Sequence, residues 1–404
     1  MNVRSSAAVL AAVAVIGAAT PAAADPSPSP SQAFPSALYG GKDPKFDGVW
    51  RQSLALLAQD TVGVKPAAKS VEWLARQQCE DGGFASYRAD PAAACDAKTM
   101  LDTNATSAAV QALTALGGHD DVTGKAVGWL KSVQNEDGGW GYSPGGASDT
   151  NSTSIVIGAL AAAGEKPDQV EKGGKSPYDA LLKLALPCGG DGDGAFAFQP
   201  DKKGKLAANA DATAAGVLGA LGQGMVVEPG KKSDATCEKA ETPEQAAANG
   251  ASYLTAALAK DDNHLMSALA GAEPQPDHGN TADAVVALAA RGDTAQAEKS
   301  VRWLEKNSAS WAAQSGPAAY AQLIFAARAT GTNPRDFGGA DLVKQLNATG
   351  PAPQTAGKAE TKASDEKEDS GSDFFGVWWY VGIFLVAGIG IGFLFTGRKK
   401  QQQP

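Results

Sequence analysis

Histidine is scarce in this chain, with three residues in 404, and cysteine is limited to four. No cysteine lies near His264 or His278, so the spacing that holds a zinc ion is missing, and no metal or cofactor is implied. Basic charge is in deficit: 35 Lys and Arg stand against 44 Asp and Glu, for a net charge of −9. With no basic stripe to offset that balance, a nucleic-acid partner is excluded. Long apolar runs are absent from the body of the chain and occur only near its two ends.

Those two runs set an expectation about compartment. Arg4, an apolar run from Ala7 to Ala19 and the small-residue site Ala22-Ala23-Ala24 read as a secretory signal peptide over 1–24. A Pro/Ser-rich linker follows over 25–37. Residues 374–396 form an uncharged stretch of about the ~20 residues that span a bilayer. Trp378, Trp379 and Tyr380 suit its outer interface, and Arg398, Lys399 and Lys400 open a basic cytoplasmic tail over 397–404. The polar stretch 349–373 holds almost no large apolar residues and reads as a disordered stalk. The expectation is a single-pass cell-membrane protein with its body, 38–348, outside the cytoplasm.

An oxidising compartment favours disulfides, and four cysteines permit three connectivities. Cys79 and Cys95 share one loop between consecutive helices, which suggests Cys79–Cys95 and leaves Cys188–Cys237. Free thiols are the alternative.

The body repeats itself. Gln78-Cys79-Glu80-Asp81-Gly82-Gly83-Phe84 is matched by Gln134-Asn135-Glu136-Asp137-Gly138-Gly139-Trp140. Each follows a Trp-Leu helix (Trp73-Leu74, Trp129-Leu130) and precedes a helix opening Asp102-Thr103-Asn104 or Asp149-Thr150-Asn151. Repetition at this length means hairpins that bury their apolar faces only against one another. Outer helices are expected near 67–77, 123–134, 177–187, 245–259 and 295–307, and inner ones near 104–116, 151–163, 211–222, 280–290 and 317–329. A leading helix at 47–59 and a trailing one at 337–346 complete a sixth hairpin. Six hairpins rich in Ala and Gly on the inner side can close into a ring, so the expected fold is all-α, an (α/α)6 toroid; an open superhelix is the alternative.

The Gln-x-x-Asp-Gly-Gly-Phe/Trp segments and the helix-pair period resemble the alpha-alpha toroid of terpenoid cyclases and protein prenyltransferases. They also resemble the toroid domain of cobalamin carriers such as intrinsic factor and transcobalamin. The resemblance covers roughly 40–348 and speaks to architecture more than to activity. It implies a mainly structural role for Gln78, Asp81, Gly83, Phe84, Gln134, Asp137, Gly139 and Trp140. Class II cyclases of that family use an Asp-x-Asp-Asp acid; here Asp191-Gly192-Asp193 continues Gly194-Ala195. Prenyltransferases hold zinc with Asp, Cys and His, and only Asp277-His278 remains of such a set. The Gly-Cys-Gly-Glu-Gln of thioester proteins is absent too, since Cys188-Gly189-Gly190-Asp191 lacks the Glu-Gln.

What remains is a ring of polar residues at the inner-helix N-termini: Asp102, Asn104, Asp149, Asn151, Asp211, Asp277 and His278. Capping of free N–H groups explains one residue per helix. The surplus, with Tyr87, Trp140 and Tyr142 from loops on the same face, suggests a ligand site at a cavity mouth. The expectation from these observations is a non-catalytic binder of a small amphipathic ligand, corrinoid- or isoprenoid-like, serving a membrane transporter. A second protein chain would close the site, because no β-rich domain follows. The alternatives are a terpenoid or carbohydrate-active enzyme with different catalytic residues, and a protein-interaction module.

Overall fold

The structure is a computed structural model, and it describes residues 34–231, 237–267 and 273–355. The expected signal peptide at 1–24 and membrane helix at 374–396 lie outside the described residues. Among those described, no helix is long and apolar enough to cross a membrane.

Thirteen α-helices are present among the described residues: α1 (Gly48–Thr61), α2 (Ala68–Arg76), α3 (Thr103–Leu116), α4 (Asp120–Ser132), α5 (Thr150–Ala162), α6 (Pro177–Leu184), α7 (Ala210–Ala220), α8 (Pro243–Lys260), α9 (His278–Arg291), α10 (Thr294–Asn307), α11 (Ala309–Ser315), α12 (Pro317–Thr330) and α13 (Leu342–Asn347). Helices α1, α3, α5, α7, α9 and α12 each pack against the next, and α12 packs back onto α1. The ring is therefore closed, and the open superhelix is ruled out. Helices α2, α4, α6, α8, α10 and α13 pack outside it, each on the inner helix that precedes it.

Small residues make the closure possible. Ala108, Ala109 and Ala112 of α3, Ala214 of α7, and Ala284, Ala287 and Ala289 of α9 are fully buried where inner helices meet. Larger side chains there would hold the helices apart.

The repeat motif is a hydrogen-bonded splice between hairpins. The Gln78 amide donates to the Gly82 carbonyl at 3.0 Å and to the Val122 carbonyl at 2.7 Å; Gln134 does the same to Gly138 and Val170 at 2.8 and 3.1 Å. Asp81 and Asp137 accept from the second glycine of each turn at 3.1 Å. The backbone N–H of the aromatic then meets a threonine of the following inner helix: Phe84 to Thr106, Trp140 to Thr153 and Phe196 to Thr213. Leu265 repeats the bond to Thr281, so a fourth copy survives with its aromatic lost. There His264 takes the place of Gly83 and stacks on Trp303 with centroids 4.2 Å apart, as Gly83 sits on Trp129. In this copy the chain pairs as a short hairpin, β1 (Leu265–Ser267) with β2 (Gln275–Asp277).

Three departures from expectation have local causes. Helix α13 starts at Leu342 rather than near 337, because Gly338 and Gly339 adopt φ of 60° and 85° in a turn closed by Phe337 and Ala340. Helix α11 is an extra turn set off by Gly316, whose φ is 86°. Residues 349–355, read as the start of a stalk, are docked: Gly40 donates to the Thr349 carbonyl and Gln354 donates to the Lys65 carbonyl.

Both disulfides form as expected, Cys79–Cys95 and Cys188–Cys237, with Cα–Cα separations of 5.7 and 5.8 Å. They close loops of sequence separation 16 and 49. Loop-closure entropy then assigns about 3 and about 4 kcal/mol to them. Reduction should lower the thermal midpoint, with the larger share lost in a Cys188→Ser/Cys237→Ser variant than in Cys79→Ser/Cys95→Ser. Calorimetry of the three forms checks the order.

Candidate functional site

The loops that carry the repeat motif also stitch the inner-helix N-termini into one rim. The carbonyl of Ser86 accepts from Val49 at the start of α1, that of Tyr142 from Thr103 of α3, and that of Phe198 from Thr150 of α5. The inner helices therefore open at one end of the ring.

Aligning the repeats on their shared threonine (Thr106, Thr153, Thr213, Thr281) shows what faces the centre. Two residues before it stand Asn104, Asn151, Asp211 and Gly279; two after it stand Ala108, Ile155, Ala215 and Asp283; five after it stand Gln111, Gly158, Leu218 and Val286. These offsets fall on one helical face. Nine of these twelve line a central cavity of about 300 Å³, joined by Trp50 and Leu54 from α1 and Gln322 and Phe325 from α12. In the fourth repeat the polar group at the rim is replaced by Gly279, and a carboxylate appears one turn deeper as Asp283.

The cavity has a floor. Residues 223–225, after α7, enter the ring: the Gln111 carboxamide oxygen accepts from the Met225 N–H at 2.9 Å. Gly158 lies so close to Gly224 that an added Cβ would sit 2.8 Å from its Cα. The segment continues across to Gly230, which donates to the Ala289 carbonyl. The ring centre is a blind cavity and not a channel.

Polar groups stand at the rim, one turn below it and, with Gln111, at the floor, between apolar walls. Asn151 donates to the Asp211 carboxylate at 2.9 Å, and Gln322 donates to both oxygens of Asp283 at 3.2 and 3.0 Å. Burial pushes the Asp211 carboxyl up; the Asn151 bond opposes that shift and the charge of Asp277 adds to it. Burial, then the charge of Asp211, push Asp283 up to about 7, with the Gln322 bond opposing and Asp277 adding. Asp283 is half-buried, and it lines the cavity. Among the described residues that line the cavity there is no Lys, Arg or His. No cluster suited to a metal ion occurs among the described residues.

The residues expected at the mouth divide accordingly. Asn104, Asn151 and Asp211 line the cavity. Asp102, Asp149 and Asp277 are N-caps, accepting from Ala105, Ser152 and Asn280. Trp140 is 1% exposed and its indole N–H donates to the Leu130 carbonyl at 2.7 Å, which ties it into the repeat and away from any ligand. Tyr87 packs on Trp73 and beside Gly48 at the start of α1, and does not line the cavity. Tyr142 stands exposed on the rim, its hydroxyl 3.4 Å from that of Ser86. His278 stacks on Trp311 and against Trp303, with Nε2 3.1 Å from the Asn307 carbonyl, and does not line the cavity. Sequence reasoning missed Asp283, Gln322 and Trp50. The signal for Asp283 was a carboxylate in an Ala/Val-rich inner helix, legible once repeats are aligned on the threonine.

Residues 50–215 match the prenyltransferase alpha-alpha toroid domain. Over 80 residues it is 38% identical to drimenyl diphosphate synthase of Streptantibioticus cattleyicolor, covering 20% of this chain and 13% of that protein. Similar solved structures include ent-copalyl diphosphate synthase from Streptomyces platensis, at 12% identity and TM-score 0.45, covering 70% of this chain and 50% of that one. Another is a type II terpene cyclase from Scytonema in complex with geranylgeranyl dihydroxybenzoate, at 16% identity and TM-score 0.46, covering 74% and 80%. The chain thus spans only a fraction of the curated relative it matches. None of these proteins is a cobalamin carrier, and that part of the resemblance is without support.

Proposed function

We propose that this chain is an acid–base enzyme acting on a small, largely apolar, isoprenoid-like substrate held at the ring centre. The observation that carries the reading is the pair Asp211 and Asp283, brought from neighbouring inner helices into one apolar-walled cavity without a cation beside them. Two carboxyls that repel each other in a buried site titrate apart, so one keeps its proton while the other is charged. Asp283 is the proton donor. Asp211, held by Asn151, is the anion that stabilises positive charge developing on the substrate. The faces of Trp50 and Phe325 suit the same charge.

The proton balance closes without a co-reactant. Asp283 gives its proton to an alkene or an epoxide oxygen of the substrate, an internal carbon–carbon bond forms on the cationic centre, and a proton lost from carbon returns to the carboxylate. The outcome is an isomerisation. The cavity lies at the small end of the ~300–1,000 Å³ usual for ligand sites, which suits a short isoprenoid and leaves no room for a corrinoid macrocycle. Its apolar walls disfavour sugars, which need hydrogen-bonding partners around their whole perimeter.

The direct test is incubation of the purified chain with short isoprenoids and mass-spectrometric search for isomeric products. Isomers formed by the wild type and lost in Asp283→Asn support the reading; binding without product returns the protein to a capture role. A second expectation concerns Gln322. Its amide donors favour the ionised form of Asp283, so Gln322→Leu should raise that carboxyl further. The alkaline limb of the pH–rate profile should then move to higher pH, whereas mere loosening of the site would lower the rate at every pH.

A further inference from the structure

We infer that the segment 222–230 is a stop that sets the chain length of the ligand at two prenyl units, and that Gln111 is the residue that holds it in place. Resting on the function proposed above, this names the substrate class of the same site by its length. The segment leaves α7 through Gly222, whose φ is 66°, and crosses the far end of the ring. It meets four other inner helices on the way. Gly224 lies against Gly158 of α5, and the Met225 N–H donates to Gln111 of α3 at 2.9 Å. Glu228 then pairs with Arg328 of α12, and Gly230 donates to the Ala289 carbonyl of α9. The path is open to glycine alone at two of these crossings. A Cβ on Gly158 would stand 2.8 Å from the Gly224 Cα and 3.0 Å from the Gln223 carbonyl, and one on Gly230 would run into the Ala290 carbonyl.

Gln111 is 4% exposed, and the positions equivalent to it in the other repeats are Gly158, Leu218 and Val286. An apolar residue would therefore serve to pack the helices, and a buried carboxamide costs free energy unless it is bonded. Both of its ends are bonded. Its oxygen accepts from Met225, and its nitrogen donates to the Ile155 carbonyl of α5 at 3.4 Å. Gln111 thus ties the crossing segment to two inner helices. Depth then converts to ligand length. Asn104 and Gln111, Asn151 and Gly158, and Asp211 and Leu218 all line the cavity, each pair seven residues apart on one helix. At ~1.5 Å per residue the cavity is about 10 Å deep. A prenyl unit adds four bonds to a chain; three backbone bonds span at most ~3.6 Å, so four extend roughly 5 Å. Two units fill the depth, and a third is left outside the rim.

The test titrates the full chain by calorimetry with prenols of five, ten, fifteen and twenty carbons. The matching diphosphates are run in parallel, so that length is compared within each head group. From five carbons to ten, binding should tighten by ~10²- to 10³-fold, the scale of five buried carbons. From ten to fifteen it should tighten by less than ~3-fold. Gln111→Ala frees the segment and Met225→Ala removes bulk from it, so in either variant the step from ten to fifteen carbons should recover to at least ~10-fold. Met225→Ala carries the test if Gln111→Ala does not fold. A wild type that gains another ~10-fold from ten to fifteen carbons overturns the inference. So does a plateau that both variants keep, or failure of every probe to bind. Product analysis on the same mixtures keeps the two readings apart. Ten-carbon chains bound but never converted remove the enzyme reading and leave this one, whereas longer chains bound more tightly and converted remove this one and leave the enzyme.

Discussion

Asp283→Asn should abolish turnover and, above neutral pH, raise the melting temperature of the same protein. The two effects share one cause. The Asp283 carboxyl is pushed up to about 7, from an ordinary 3.8, chiefly by burial and then by Asp211. As a general acid it must hold its proton, so the rate should fall roughly tenfold per pH unit above about 7, and it should fall again at acid pH where Asp211 takes up a proton. Removing such an acid typically costs about 10²–10⁴-fold in rate.

For stability the native carboxyl binds its proton more tightly than the unfolded one does. Between 3.8 and about 7 the folded state holds more protons, so this group's contribution falls as pH rises through that window. Above it the folded protein carries a buried anion, a penalty on the order of a few kcal/mol that the neutral amide of Asn lacks. The thermal midpoint of Asp283→Asn relative to wild type should therefore climb from pH 4 to pH 8. A variant that loses activity and is also less stable at pH 8 would show a damaged fold and would withdraw the evidence for an acid.

The ring was legible in the chain because its units must be. A hairpin that buries its face only against its neighbours has to keep the residues that make the junction, and Gln78, Asp81, Thr106 and their counterparts do so visibly. Closure was legible through composition, in the Ala and Gly of the inner helices. The site was less so. The polar rim residues were found, yet their division into caps and ligands was not. Asp102 and Asn104 differ only in which way a helix turn points them, one at its own N–H groups and the other at the ring axis. Asp283 escaped a motif search because it shares no local sequence with Asp211; the packing of α7 against α9 makes them neighbours. The floor at 223–225 was also hidden, since a loop that enters a ring has no signature beyond the small residues, Gly158 and Gly224, that let it pass.

Gly138→Ala should destabilise the ring far more than Gly145→Ala, although both glycines are in the left-handed region at φ of 89° and 75°. The backbone penalty is common to both, about 1–2 kcal/mol for an L-residue there. The surroundings differ. A Cβ on Gly145 meets nothing within 4 Å, whereas one on Gly138 runs into the Ser176 carbonyl and stands 2.9 Å from that of Lys175. Those carbonyls belong to the segment that caps α6, where Ser176 and Asp179 form a closed capping box and leave the backbone little freedom to retreat. Crowding of a packed junction adds about 1–3 kcal/mol, for a total of about 2–5 kcal/mol against 1–2 for Gly145. For a domain whose whole stability is of order 5–15 kcal/mol, that difference separates a wounded protein from a nearly intact one. Urea unfolding of the two variants measures it. Equal losses would mean that the Gly-Gly turn is kept for its backbone conformation alone, and that the junction between hairpins tolerates a methyl group where this packing says it cannot.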